Sequence, residues 1–138
     1  MACDSTAQYD IYMPHLDRAN LSTLTVYVGE KDYHQRQLLR EMFVGEGIKN
    51  VSTHASIDTL RSLMFDVPPD LLVLSDNFDS DVFNLVREIR FSQLGLNPFI
   101  IISMLVAQNR GDNIRKAINA GADDVVIKPL DTKKIHER

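Results

Sequence analysis

The sequence predicts a single α/β domain built on a five-stranded, doubly wound parallel sheet, and three observations carry that prediction. Short apolar runs of strand length alternate with segments whose apolar residues recur at helical spacing. Two of the runs, Leu71 to Leu74 and Phe99 to Ile102, are apolar at every position, as strands buried on both faces are. The 138 residues, 44% hydrophobic and 25% charged, suit one domain that buries roughly two-thirds of its unfolded surface without disulfide or metal staples.

Residues 1–23 are polar and unpatterned and read as an N-terminal arm, with 24–138 as the folded domain. Leu24 to Val28 is a β-branched and aromatic strand. Leu38, Leu39, Met42 and Phe43 then follow at helical spacing, and Gly45 and Gly47 close that helix. Val51 to His54 is the second strand. The next helix carries Leu60, Leu63 and Met64 on one face and must stop before Pro68-Pro69, since proline cannot continue it. Leu71 to Leu74 is the third strand, Phe83, Val86 and Ile89 mark the third helix, and Phe99 to Ile102 is the fourth strand. Ile114, Ala117 and Ile118 belong to a fourth helix, with Asp112 as its N-cap and Gly121 at its C-terminal end. Val125 to Ile127 is the fifth strand, and Asp131 or Thr132 starts a last helix toward Arg138. Strands joined through helices require right-handed crossovers, so helices cover both faces of the sheet.

Several function classes fall away. Fifteen Lys and Arg against nineteen Asp and Glu give a net charge of -4, which argues against nucleic acid or an acidic membrane as partner. The single cysteine, Cys3, excludes a disulfide framework and predicts a reducing, cytoplasmic setting. No run approaches the length of a membrane span, and the first twenty residues lack a basic start followed by an apolar block. His15, His34, His54 and His136 are dispersed without ligand spacing. Gly45-Glu46-Gly47 follows a helix rather than a strand, so it is no dinucleotide loop, and neither Ser75 nor Ser103 sits in a nucleophile elbow.

In a doubly wound domain, ligands and chemistry lie beyond the carboxyl ends of the strands. Those positions hold Gly29-Glu30-Lys31-Asp32, Ser75-Asp76-Asn77, Ser103-Met104 and Lys128-Pro129. Acids, a hydroxyl and an ammonium together suit phosphoryl chemistry: carboxylates hold a divalent metal, one carboxylate attacks, and the hydroxyl and ammonium hold phosphoryl oxygens. The plainer reading is that such residues are ordinary loop constituents. It weakens when four of them converge.

Ala120-Gly121-Ala122-Asp123-Asp124, followed by Val125, Val126, Ile127 and Lys128-Pro129-Leu130, resembles the signature of response-regulator receiver domains. Pro98 to Ser103 resembles that family's fourth strand, Gln37 to Phe43 its first helix and Pro69 to Leu74 its third strand. The resemblance spans residues 24–138. It implies a flavodoxin-like fold of strand order 2-1-3-4-5, and phosphotransfer from a histidine kinase to an aspartate with Mg2+. Asp76 is then the candidate phosphoacceptor, with Ser75 as the alternative position. Ser103 is the phosphoryl hydrogen-bond donor, Lys128 the charge partner, and Glu30 with Asp76 a weak Mg2+ site.

The chain also departs from the family pattern. Two adjacent acids are expected after the first strand. Counting back from the first helix sets Glu30 and Lys31 there, and counting forward from the strand sets Gly29 and Glu30, so one carboxylate remains on either count. A lysine in that place would repel a metal ion. Asp79 and Val82 replace a usual proline and glycine, and Val125 stands where an aromatic switch residue is common. The prediction is a two-component receiver domain, not an enzyme beyond self-phosphorylation and dephosphorylation, with weak or absent aspartyl phosphorylation. It would act through contacts with a histidine kinase or a downstream signalling protein. The alternatives are an ordinary phosphorelay receiver accepting phosphate on Asp76 and a small ligand-binding or enzymatic flavodoxin-like domain. Two further expectations are a cis Lys128-Pro129 peptide and a homodimer through the fourth helix, fifth strand and last helix. Ile135 alone gives that last segment a large apolar side chain, too little cover for a sheet flank.

Overall fold

The computed structural model describes residues 22–91 and 97–128. The N-terminal arm before Ser22, the Lys128-Pro129 peptide, the last helix and its share of a dimer face lie outside the described residues.

The pleat of a strand sends successive side chains to opposite faces. In β1 (Thr25–Gly29), Val26 and Val28 join one apolar cluster and Tyr27 the other. The chain continues through α1 (Tyr33–Gly45), β2 (Asn50–His54), α2 (Ile57–Asp66), β3 (Leu71–Ser75), α3 (Val82–Arg90), β4 (Ile101–Val106), α4 (Gly111–Ala120) and β5 (Asp124–Ile127). The five strands form one parallel sheet in the order β2-β1-β3-β4-β5. This is the doubly wound sheet that the sequence pattern predicts, in the order that the resemblance to receiver domains implies.

Helix α1 buries Leu39, Met42 and Phe43 on the face holding Val26, Val28, Val73 and Leu105. Helices α2, α3 and α4 cover the other face, where Leu60, Met64, Leu85, Val86, Ile89 and Ala117 meet Leu72, Leu74, Ile102 and Met104. Full burial of each such aliphatic side chain contributes about 1.5–3 kcal/mol before the entropy of ordering is set against it. All five residues of β3 are buried, as its unbroken apolar run requires.

Two expectations need correction. β4 begins at Ile101 and runs to Val106, whereas the apolar run suggested Phe99 to Ile102; Phe99 stands outside the strand, largely exposed. Its register, Leu71 with Ile101 and Ser75 with Leu105, is set by pairing against β3. Asp112 lies inside the first turn of α4 rather than at its N-cap, which is Arg110 and makes no side-chain cap bond. Gly121 does close that helix, at φ 115°, in the left-handed region that glycine enters without penalty.

At the amino end of β4 one side chain joins three segments. Arg90 Nε donates to the Gly121 carbonyl at 2.7 Å, and Nη1 to the carbonyls of Pro98 and Ile100 at 2.6 and 2.7 Å. Nη2 meets Asp123 Oδ2 at 2.6 Å, and that same oxygen accepts the Ile102 N–H at 2.8 Å. A Cβ at Gly121 would stand 2.6 Å from Arg90 Cγ, so the glycine makes room for the arginine.

Candidate functional site

At the opposite, carboxyl end of the sheet, β1 stops at Gly29 and Glu30 turns the chain toward α1. Glu30 is fully buried, and a carboxylate is buried only when it is paired. Its Oε1 lies 3.3 Å from Lys128 Nζ and its Oε2 accepts the Asp32 N–H at 2.9 Å. Its own N–H donates to the His54 carbonyl at 3.0 Å, continuing the β1–β2 ladder by one residue. Asp32 caps α1 by accepting the Gln35 N–H at 2.9 Å. Arg36 folds back onto the turn, its Nη1 donating to the carbonyls of Glu30 and Lys31 at 3.0 and 2.8 Å.

The forward count from β1 is therefore the one that describes the turn. Gly29 and Glu30 take the two strand-end places, and Lys31 is exposed, so the lysine ammonium expected at a metal position is not in the cluster. At Gly29 a side chain has no room. A Cβ there would meet the Phe78 ring at 2.7 Å and Leu74 Cδ2 at 2.9 Å, and Phe78 is itself buried.

β3 ends at Ser75, which is fully buried. Its Oγ accepts a short hydrogen bond from Lys128 Nζ and donates to Asn77 Oδ1 at 2.6 Å. Asp76 prolongs the sheet, its N–H donating to the Leu105 carbonyl at 2.8 Å. Its side chain is 3% exposed. Oδ2 accepts the Ala107 N–H at 3.0 Å and Asn113 Nδ2 at 2.9 Å, while Oδ1 lies 3.9 Å from Lys128 Nζ and has no hydrogen bond. One ammonium thus faces two carboxylates and a hydroxyl. A cleft of about 410 Å³, lined among the described residues by Ala107, Gln108, Asn109 and Lys128, opens this side to solvent.

Of the residues singled out in the sequence, the fold brings together Glu30, Ser75, Asp76 and Lys128. Ser103 does not join them. It sits buried in mid-strand, paired with Val73 and Asp124, three residues short of the strand end at Val106. A serine taken for the end of an apolar strand proves to be internal to it. Val125 packs half-buried against the cluster under α3 and α4, so no aromatic ring occupies that position. The sequence reading placed Asn77 at the strand end without a role and missed Asn113, the Ala107 N–H and Phe78. A polar residue in the first turn of a helix carries no local sign that it reaches another strand's end, and a backbone N–H carries none at all. At the rim, His54 Nε2 lies 2.8 Å from Ser52 Oγ and the imidazole packs edge-on to Tyr27; burial holds its pKa below the ordinary histidine value.

No protein-family profile matches the chain, and no curated protein matches its sequence. Its structure is similar to those of response regulators. The receiver domain of the TMAO respiratory system response regulator TorR aligns at 26% identity with TM-score 0.69, over 81% of this chain and 89% of that one. NtrX from Brucella abortus aligns at 21% identity with TM-score 0.70, over 81% of this chain. A response regulator from Thermotoga maritima aligns at 22% identity with TM-score 0.67, over 83% of this chain and 98% of that one. The chain spans 25% of the length of that NtrX chain. The fold is that of response-regulator receiver domains, with five parallel strands in the order 2-1-3-4-5.

Proposed function

We propose that the chain is a two-component signalling domain of the receiver type that works through protein contacts without a cycle of aspartyl phosphorylation. One observation carries the reading: the Lys128 ammonium, the group that would hold a transferred phosphoryl, is already shared by the buried Glu30 carboxylate and the Ser75 hydroxyl. Ser75 is an alcohol and can form no acyl phosphate, only a phosphate ester, and its surroundings do not promote that either. Its bonded partners, an ammonium and a carboxamide oxygen, include no general base to make it a nucleophile.

A divalent metal does not fit the residues present. Mg2+ binds through one or two carboxylates and keeps near-octahedral geometry. Both Glu30 oxygens are engaged, one by a cation, and Phe78 fills the space where a side chain at Gly29 would stand. An incoming cation would have to displace Lys128 and overcome its like charge. A histidine kinase or a downstream signalling protein is the partner class this reading calls for.

The competing reading, ordinary phosphorelay on Asp76, is favoured by the unbonded Asp76 Oδ1 beside Lys128. Incubation with acetyl phosphate or beryllofluoride and Mg2+, followed by intact-mass analysis and amide shift mapping at Glu30, Ser75, Asp76, Ser103 and Lys128, separates the two. The proposal expects an unchanged mass and unmoved amides. Stoichiometric modification that disappears in Asp76→Asn overturns it.

A further inference from the structure

The environment of Asp76 points to a second feature of this site. Three groups of different origin surround the Asp76 carboxylate, two of them as hydrogen-bond donors. They are the Ala107 N–H just past β4, the Asn113 carboxamide in the first turn of α4, and the Lys128 ammonium at the end of β5. A backbone N–H and a carboxamide aimed at one oxygen, with an ammonium close by, form an oxyanion site, because each presents positive charge to the same carboxylate. The occupant is the Asp76 carboxylate, with Oδ2 taking both donors and Oδ1 facing the ammonium. The carboxylate is almost wholly buried, so its bonds are little screened by water.

We propose that Asp76 is a resident anion that fills, from within the chain, the seat a small external oxyanion would take, and so holds the 107–110 loop and the first turn of α4 against β3. The inference rests on the reading of Asp76 as a residue that is not phosphorylated. Without it, the Ala107 N–H and the Asn113 amide would lose the acceptor that ties them to β3.

The test removes the anion and then returns it. Asp76→Ala deletes the carboxylate and leaves the donors, and formate supplies a carboxylate of matching size. In the full chain, amide hydrogen exchange at Ala107 is expected to accelerate by about tenfold or more in Asp76→Ala, the loss that follows when a charge-assisted bond is removed. Added formate should return protection saturably, while chloride at equal ionic strength should not. Unchanged exchange at Ala107 in Asp76→Ala, or acceleration that formate leaves untouched, overturns the proposal. Should that variant fail to fold, Asn113→Ala decides. It removes one of the two bonds to Oδ2 and should speed Ala107 exchange by about threefold or more, whereas unchanged exchange rejects the resident anion. Acetyl phosphate on the unaltered chain tests the underlying reading separately. An adduct there removes the premise, while failure of the formate arm alone removes only the resident anion.

Discussion

The two ends of the sheet are each organised around one long cationic side chain, and they use it differently. At the amino end, Arg90 makes four hydrogen bonds of 2.6–2.7 Å to three carbonyls and a carboxylate. At the carboxyl end, Lys128 holds Ser75 closely, Glu30 at 3.3 Å and Asp76 at 3.9 Å, leaving Asp76 Oδ1 without a hydrogen bond. A guanidinium is a planar fork whose donors can be matched one by one, while an ammonium is a compact charge that its partners must share. Each end also has a glycine that yields space to a neighbour, Gly121 to Arg90 and Gly29 to Phe78. The difference separates a joint, where polarity is matched, from a site, where some is held in reserve at the place this architecture uses for ligands.

The largest effect is expected from Lys128→Met, which takes from the buried Glu30 carboxylate the ammonium it is paired with. Losing one partner of a buried pair costs about 3–5 kcal/mol, and urea denaturation should show it directly. Arg90→Lys keeps the charge but loses the fork, and is expected to cost about 2 kcal/mol in the same assay. If the arginine change proves the costlier of the two, the contrast between joint and site is wrong.

The glycines sharpen the comparison. Gly29→Ala should cost about 1–3 kcal/mol by overpacking, and most of that loss should return in the double variant with Phe78→Leu, because the clash is with a side chain. Gly121→Ala should cost about 1–3 kcal/mol from backbone strain at φ 115° besides its clash with Arg90, and trimming Arg90 should return the clash but not the strain, so recovery is expected to be smaller than at Gly29. A double-mutant cycle with equal recovery at both glycines would erase that distinction.

The smallest effect concerns His54, whose carbonyl accepts the Glu30 N–H. Burial holds its folded pKa below the ordinary 6.5, so the unfolded chain takes up the proton more readily. Stability present above that value should therefore decline as pH falls below it. His54→Gln should flatten the decline, read as urea midpoints between about pH 7.5 and about pH 5.5.

How much of this is legible in the sequence depends on what fixes each feature. A parallel sheet with β3 in its interior is legible because the unbroken apolar run Leu71 to Leu74 has no solvent face and helix-length connections make its neighbours parallel, whereas the order of the five strands is what the resemblance to receiver domains implies. The bounds of β4 are not, since an apolar stretch from Phe99 to Val106 offers no local stop and Ser103 looks like one; pairing with β3 decides. Glu30 and Lys128 are legible as strand-end charges. The division of labour between Ser75 and Asp76 is not, because both lie at the end of β3 and only the positions of Lys128, Ala107 and Asn113 tell them apart.

The contact between Lys128 and Glu30 spans 98 positions of the chain. Closing so long a loop is slow and entropically costly, and it can happen only after β5 has added to the sheet edge beside β4. Burial of Glu30 at the end of β1 before that point would leave it in the interior without its cation. Any partly folded state in which β1 has joined the sheet and β5 has not therefore holds an unmatched acid. The site is whole only once β5 has docked, and a chain lacking β5 would leave the Glu30 carboxylate without the ammonium it is paired with.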